Sequence, residues 1–169
     1  MRYGLIDDHG YRYGVGIVLV NNKGQVLLAN RKGMVDAWQF PQGGIDEGEA
    51  VEAAMFRELE EELGLTPDTV EILSVTQDWL SYELPENYRR YYSSPLCVGQ
   101  KQKWFLLKLL EADHMIALDQ TLTPEFDCWR WAELVEPMRY VVFFKGRIYE
   151  QVLSLFTPII NDIANHPSR

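Results

Sequence analysis

The stretch Gly43–Leu65, GGIDEGEAVEAAMFRELEEELGL, gathers eight acidic side chains (Asp46, Glu47, Glu49, Glu52, Glu58, Glu60, Glu61 and Glu62) around a single base, Arg57. At about 100° per residue, a helix carrying Glu58 places Glu61 roughly 60° to one side and Glu62 roughly 40° to the other, so these three carboxylates share a face. Phe56, Leu59 and Leu63 fall on the opposite side as a core-facing stripe. The helix ends are legible too: acids crowd the first turn, Gly64 stands where a left-handed terminating residue belongs, and Pro67 lies just beyond. The pattern predicts a helix from Ala50 to Leu63. Like charges at i, i+3 and i, i+4 repel, and only Arg57 offsets them within the helix. A hard divalent cation relieves that repulsion. Carboxylate oxygens without a nearby histidine or cysteine favour Mg²⁺ or Mn²⁺ over zinc, with coordination positions left for water and phosphate.

Working outward, the 169-residue chain, 47 % hydrophobic, is expected to form a single domain spanning 1–169 around one core. No apolar run reaches membrane-spanning length and no charged-then-apolar leader opens the chain, so a cytoplasmic location and no membrane partner are expected. Cys97 and Cys128 read as unpaired thiols. The net charge is −9, and most of it lies between Asp46 and Glu62. Two or three bound divalent ions would neutralise most of that ridge, which makes an anionic phosphate substrate admissible. The absence of a basic stripe argues against binding a DNA duplex along its length.

Tyr13 to Val20 and Gln25 to Ala29 read as two strands of a hairpin joined by Asn21-Asn22-Lys23-Gly24. Val70 to Gln77, Lys101 to Leu110 and Phe126 to Ala132 read as further strands. The amphipathic stretch from Val141 to Ile163 reads as a helix interrupted near Pro158. Helices interleaved with strands give an α/β class, an α/β/α sandwich on a mixed β-sheet. Gln100 and Gln102 lie two apart on a strand and hence on one face, a pattern that suits a shared ligand and a plain sheet surface equally. The connection from Glu83 to Gly99 is long and aromatic, with Tyr88, Arg89, Arg90, Tyr91 and Tyr92. It reads either as a lid over a nucleotide or as a surface loop pinned by its tyrosines.

From Gly43 the pattern is a glycine, five residues, Glu49, seven residues, Arg57-Glu58-Leu59, one residue, Glu61-Glu62, one residue, Gly64 and Leu65. That is the Nudix box complete at every specified position, and the chain resembles the Nudix hydrolases. The resemblance implies the Nudix α/β/α fold and attack of a metal-activated water on a diphosphate linkage. It makes Glu58, Glu61 and Glu62 metal ligands, adds the Gly43 carbonyl, places Arg57 in the catalytic set beside Glu58, and gives Glu49 the task of bracing Arg57 and its loop. Which glutamate accepts the water's proton stays open.

Other segments are similar to one branch, the bacterial RNA pyrophosphohydrolases and related dinucleoside polyphosphate hydrolases: Gly10-Tyr11-Arg12, WQFPQGG at 38–44, GQKQKWFLL at 99–107, TPEFD at 123–127, WRW at 129–131, and Val141-Val142 through Phe144-Lys145. By that resemblance Glu125 is a further metal ligand or catalytic carboxylate. Arg12, Gln100 and Gln102 face phosphate, Gln42 touches substrate, and Arg31, Tyr82, Val142, Phe144 and Lys145 wall a base. Asn30, Ser81 and Glu83 stand where that branch tends to be basic. The expected activity is conversion of 5′-triphosphate or diphosphate RNA ends to 5′-monophosphate, which initiates mRNA decay. Diadenosine polyphosphate hydrolysis is the alternative. A pyrophosphatase of free nucleotides, within the same enzyme class, ranks behind both, and so does a non-catalytic nucleotide sensor, since no box carboxylate is missing.

Overall fold

The computed structural model describes residues 6–89 and 96–166. Two long strands form its spine: β1 (Tyr11–Val20) and β7 (Gly99–Leu109), which run parallel in register from Tyr11↔Gly99 to Val20↔Lys108. Each shares its outer edge among short strands. Along β1, β4 (Gln42–Gly44) pairs with Gly14–Gly16, and β2 (Val26–Arg31) joins at the Val20↔Val26 position. Along β7, β6 (Leu80–Glu83) takes the Gly99–Gln102 half and β5 (Val70–Val75) takes the Phe105–Leu109 half. β2 also carries β3 (Trp38–Gln39) and β8 (Phe126–Ala132). All pairs except β1–β7 are antiparallel, so the eight-stranded sheet is mixed, as expected.

Strand periodicity divides the core in two. Val15, Ile17 and Leu19 of β1, with Phe105, Leu107 and Leu109 of β7, face helix α1 (Val51–Leu63) and pack on its Ala54, Met55, Leu59 and Leu63. Val18 and Val20, with Trp104 and Leu106, face the other way onto Ile148, Tyr149, Val152, Phe156 and Ile160 of the carboxy-terminal helix. The result is the expected α/β/α sandwich. α1 ends where the sequence says it should, on Gly64 at φ 69°, whose N–H bonds the Glu60 carbonyl. A β-carbon at that position would press on the Ala117 backbone, so both conformation and space demand glycine.

The carboxy-terminal region differs from the sequence reading. A short helix α2 (Pro137–Tyr140) and a 3₁₀ turn at Phe143–Lys145 precede α3 (Gly146–Asn165), which runs without a break through Pro158. Val141 and Val142 are extended and outside it. The proline removes one intrahelical hydrogen bond on an exposed turn, while the buried stripe from Ile148 to Ile160 holds the helix to the sheet. β3, β4, β6 and α2 have no counterpart in the sequence reading, being only two to four residues long. Pro158→Ala is expected to stabilise the protein by about 1–3 kcal/mol. Chemical denaturation of both proteins checks this, and a lower midpoint for the alanine variant would show that the proline sets a curvature the packing needs.

Candidate active site

Arg57 is the hub around which the acidic segment is folded. Its Nε and Nη2 grip Glu49 as a fork, at 2.8 Å to Oε2 and 2.9 Å to Oε1. Nη1 donates to Glu58 Oε1 at 2.8 Å and reaches Glu61 Oε2 at 3.5 Å, while Nη2 also donates to the Gly44 carbonyl at 2.8 Å. Glu49 Oε1 in turn accepts the Asp46 N–H at 3.0 Å. One guanidinium thus ties the loop before α1 to the helix face, and charge-assisted bonds of this kind are about twice as strong as neutral ones. These contacts, led by that to Glu49, raise the Arg57 pKa.

Glu58 is not on a solvated ridge; it is only 7 % exposed. Its carboxyl lies against Gly43, where a β-carbon would fall inside it. Burial pushes Glu58 up to about 7, with Arg57 pulling it down and Glu61 and Glu125 adding to the rise. Oxygens of Glu58, Glu61 and Glu62 all lie within 4.8 Å of one another. Glu125, delivered by the loop before β8, meets the Glu62 carboxyl and is raised by burial, although Arg31, Lys145 and Glu62 oppose the shift. Two carboxyls in contact need a shared proton or a cation. The all-oxygen donor set, with a glycine clearing room beside Glu58, fits a hard divalent ion. Glu58, Glu61, Glu62 and Glu125 would hold it.

Across the sheet, register places Arg12, Gln100 and Tyr82 in line on β1, β7 and β6. The Arg12 guanidinium lies over Gly44, again where a side chain would intrude. Gln102 is fully buried rather than open to a ligand. Its Nε2 donates to Gln100 Oε1 at 3.0 Å and to Gln42 Oε1 at 3.2 Å, and its Oε1 accepts Trp104 Nε1–H at 3.1 Å. Gln102 therefore braces the two glutamines in front of it. Tyr82 is buried as well and is pushed up to about 12 by burial, with the neighbouring Gln42 acting against the rise.

The Phe144 ring lies 5.9 Å from Tyr82 and 5.0 Å from Tyr88, and Lys145 Nζ sits 5.6 Å from the Tyr82 centroid. Burial, then Arg31, lowers Lys145 to about 8, while Glu125 acts against both. The fold therefore brings Arg31, Lys145, Tyr82, Phe144 and Glu125 to one place. Val142 stays 37 % exposed two residues before Phe144. Of the 83–99 connection, Arg90, Tyr91 and Tyr92 lie outside the described residues, whereas Tyr88 stands against Phe144. Sequence reasoning missed Tyr149, whose hydroxyl accepts the Phe40 N–H at 2.9 Å and anchors the segment leading to Gly43. It also missed the pairing of Asn30 with Asp127 at 3.0 Å. A lone amide in the apolar run VLLAN was the available signal.

A cluster of carboxylates able to hold a divalent ion, set between a helix and a glycine-bearing strand beside a cationic and aromatic wall, defines a class of proteins that handle phosphate anhydrides. Residues 10–152 match the NUDIX domain family, and the chain belongs to it. It is 48 % identical over 165 residues, 98 % of its length and 93 % of the relative's, to the RNA pyrophosphohydrolase of Salmonella paratyphi B; that of Salmonella newport matches equally. Among solved structures, the E. coli dihydroneopterin triphosphate pyrophosphohydrolase aligns with a TM-score of 0.63 at 20 % identity, covering 83 % of this chain and 95 % of that one. A C. elegans Ap4A hydrolase aligns at 0.62 and 21 %, covering 87 % and 98 %. At those identities the two structures speak for the fold. Among the described residues no helix is long and apolar enough to cross a membrane.

Three outcomes follow from this geometry. A buried carboxyl at about 7 must lose its proton to bind a cation, so adding Mg²⁺ near pH 6 is expected to release protons, and Glu58→Gln to remove most of that release. Equal release from both proteins would contradict it. The sign for folding is opposite to the usual carboxylate: because the folded value lies above 4.5, Glu58 favours the metal-free fold at low pH and loses that contribution as pH rises through about 7. Gly43→Ala, which puts a methyl on the Glu58 carboxyl, is expected to weaken Mn²⁺ binding by about 10- to 100-fold in an EPR titration.

Proposed function

We propose that this protein hydrolyses the 5′-triphosphate or diphosphate end of RNA to a 5′-monophosphate, the step that opens messenger decay, in the cytoplasm and with Mg²⁺ or Mn²⁺. The observation that carries the reading is the convergence of Arg31 and Lys145 on Glu125 at the border of the carboxylate cluster, with Tyr82 beneath Lys145 and Phe144 beside Tyr82. A terminal nucleotide could stack there with its polyphosphate directed at the cluster. Identity with enzymes named for that reaction supports it.

Two or three divalent ions bound by Glu58, Glu61, Glu62 and Glu125, with the Gly43 carbonyl as a further ligand, would lower the pKa of the attacking water and offset charge on the leaving phosphate. The chain's own contributions are distinct. Arg57 fixes the direction of Glu58 and neutralises part of the ridge before any substrate arrives. Gln102 fixes Gln42 and Gln100, and Arg12, one strand away from Gln100, supplies positive charge for phosphate oxygens. One carboxylate of the cluster takes the water's proton.

A second reading is hydrolysis of diadenosine polyphosphates, favoured by Asn30, Ser81 and Glu83, which add no positive charge next to the site. Turnover of a short 5′-triphosphorylated RNA, diadenosine tetraphosphate and free triphosphates at equal concentration separates these readings. The RNA is expected to be cleaved fastest, and Arg57→Ala to lower its kcat by on the order of 10²-fold. Faster cleavage of the dinucleotide would replace the first reading with the second.

A further inference from the structure

The metal-facing and base-facing halves of the site meet at a bulge. β2 pairs Asn30 with Cys128 but Arg31 with Phe126, which leaves Asp127 as the extra residue outside the ladder. Its carboxylate is used instead as a clasp. Oδ1 accepts from the Asn30 amide at 3.0 Å and Oδ2 from the Gly33 N–H at 3.1 Å. Asn30 is 6 % exposed, and the same amide nitrogen donates to the Met34 carbonyl at 2.8 Å and the Arg31 carbonyl at 3.2 Å. Its oxygen accepts the Ala37 N–H at 2.8 Å. The main chain closes the loop with Arg31 N–H to Ala37 carbonyl at 3.1 Å, and joins it to the opposite segment with Lys32 N–H to the Glu125 carbonyl at 2.9 Å.

Apolar packing does little to hold this loop, since Met34 is 49 % and Val35 90 % exposed. Hydrogen bonds hold it, and a single buried side chain makes four of them. The loop begins at Arg31, and the strand it is bonded to begins one residue after Glu125.

We infer that Asn30 and Asp127 are positioning residues that set Arg31 and Glu125 relative to each other, and so couple the grip on the substrate's base to the placement of its polyphosphate. The inference rests on the site roles given under Proposed function. Its physical content is that Arg31 and Glu125 move together when the clasp is cut: a shift near 1 Å at a reacting group costs on the order of 10²-fold in turnover.

The test is a double-mutant cycle. Asn30→Ala, Asp127→Ala and Asp127→Asn are made in the wild-type and Glu125→Gln backgrounds. kcat and KM are measured on whichever of triphosphorylated RNA and diadenosine tetraphosphate the wild type cleaves faster, with Mn²⁺ affinity by EPR and thermal midpoint alongside. In the wild-type background Asn30→Ala is expected to lower kcat by about 10- to 100-fold, raise KM several-fold and weaken Mn²⁺ binding. In the Glu125→Gln background the further loss in kcat should be under about threefold, because the group being positioned is already gone. Asp127→Asn, which keeps one acceptor, should retain more activity than Asp127→Ala. A kcat within about twofold of wild type with only the thermal midpoint changed, or the full loss in kcat repeated in the Glu125→Gln background, would overturn the inference. Preference of the wild type for the dinucleotide would displace the RNA reading alone, since the comparison between the two backgrounds decides the role of the clasp on either substrate.

Discussion

A partly buried guanidinium facing four acidic side chains is the constraint on which the rest of this structure depends. Arg57 contacts Glu49, Asp46, Glu58 and Glu61 and takes the Gly44 carbonyl as well. Lysine could not do this, because a point charge on a flexible stem cannot offer a planar fork to Glu49 and still reach across to Glu58. Without the arginine, the acidic loop and the acidic helix would repel each other, and burial of Glu58 would have no compensation. With it, the loop closes on the helix and the strand carrying Gly43 is drawn over the Glu58 carboxyl.

That arrangement still leaves an excess of carboxylates. Glu58 is raised by burial, Glu125 is raised by burial, and Glu62 and Glu125 touch. Such a cluster favours whatever delivers positive charge to it, whether protons or cations, and metal binding is therefore coupled to proton loss. The same logic applies at the wall of the site. Lys145 is lowered by burial and by Arg31, so two cations are crowded together beside Glu125 in a setting that an anionic substrate would relieve. The two halves of the site carry crowded charge of opposite sign, and a metal-bound polyphosphate would relieve both.

The sheet carries these halves to one another. Parallel pairing of β1 with β7 aligns Arg12 with Gln100, and antiparallel pairing of β6 adds Tyr82 to the row. Behind the row, Gln102 and Trp104 make a buried polar link that fixes the glutamine side chains. Two separate cores clamp the sheet from α1 and from α3, so the edge at which β4, β6 and the loop before β8 converge is held from both sides.

By itself the sequence determined the helix, read as Ala50 to Leu63 and found one residue shorter at its start, its common carboxylate face, its glycine terminus and the longer strands, because these follow from periodicities of 3.6 and 2 and from local conformational preference. The bracing of Arg57 by Glu49 was implied by the resemblance to the Nudix family. Tertiary structure alone decided the rest. Glu58 turned inward while its helical neighbours Glu61 and Glu62 remained at the cluster's rim, which helix angles cannot foretell because they do not say where Gly43 will lie. Gln102 went behind the site though it shares a strand face with Gln100, since burial depends on what covers the strand. Pro158 was absorbed into α3 because packing outweighed a single lost hydrogen bond. The union of Asn30 with Asp127, 97 residues apart, exists only where a bulge ejects one residue from the β2–β8 ladder, and register between distant strands is not written in either strand.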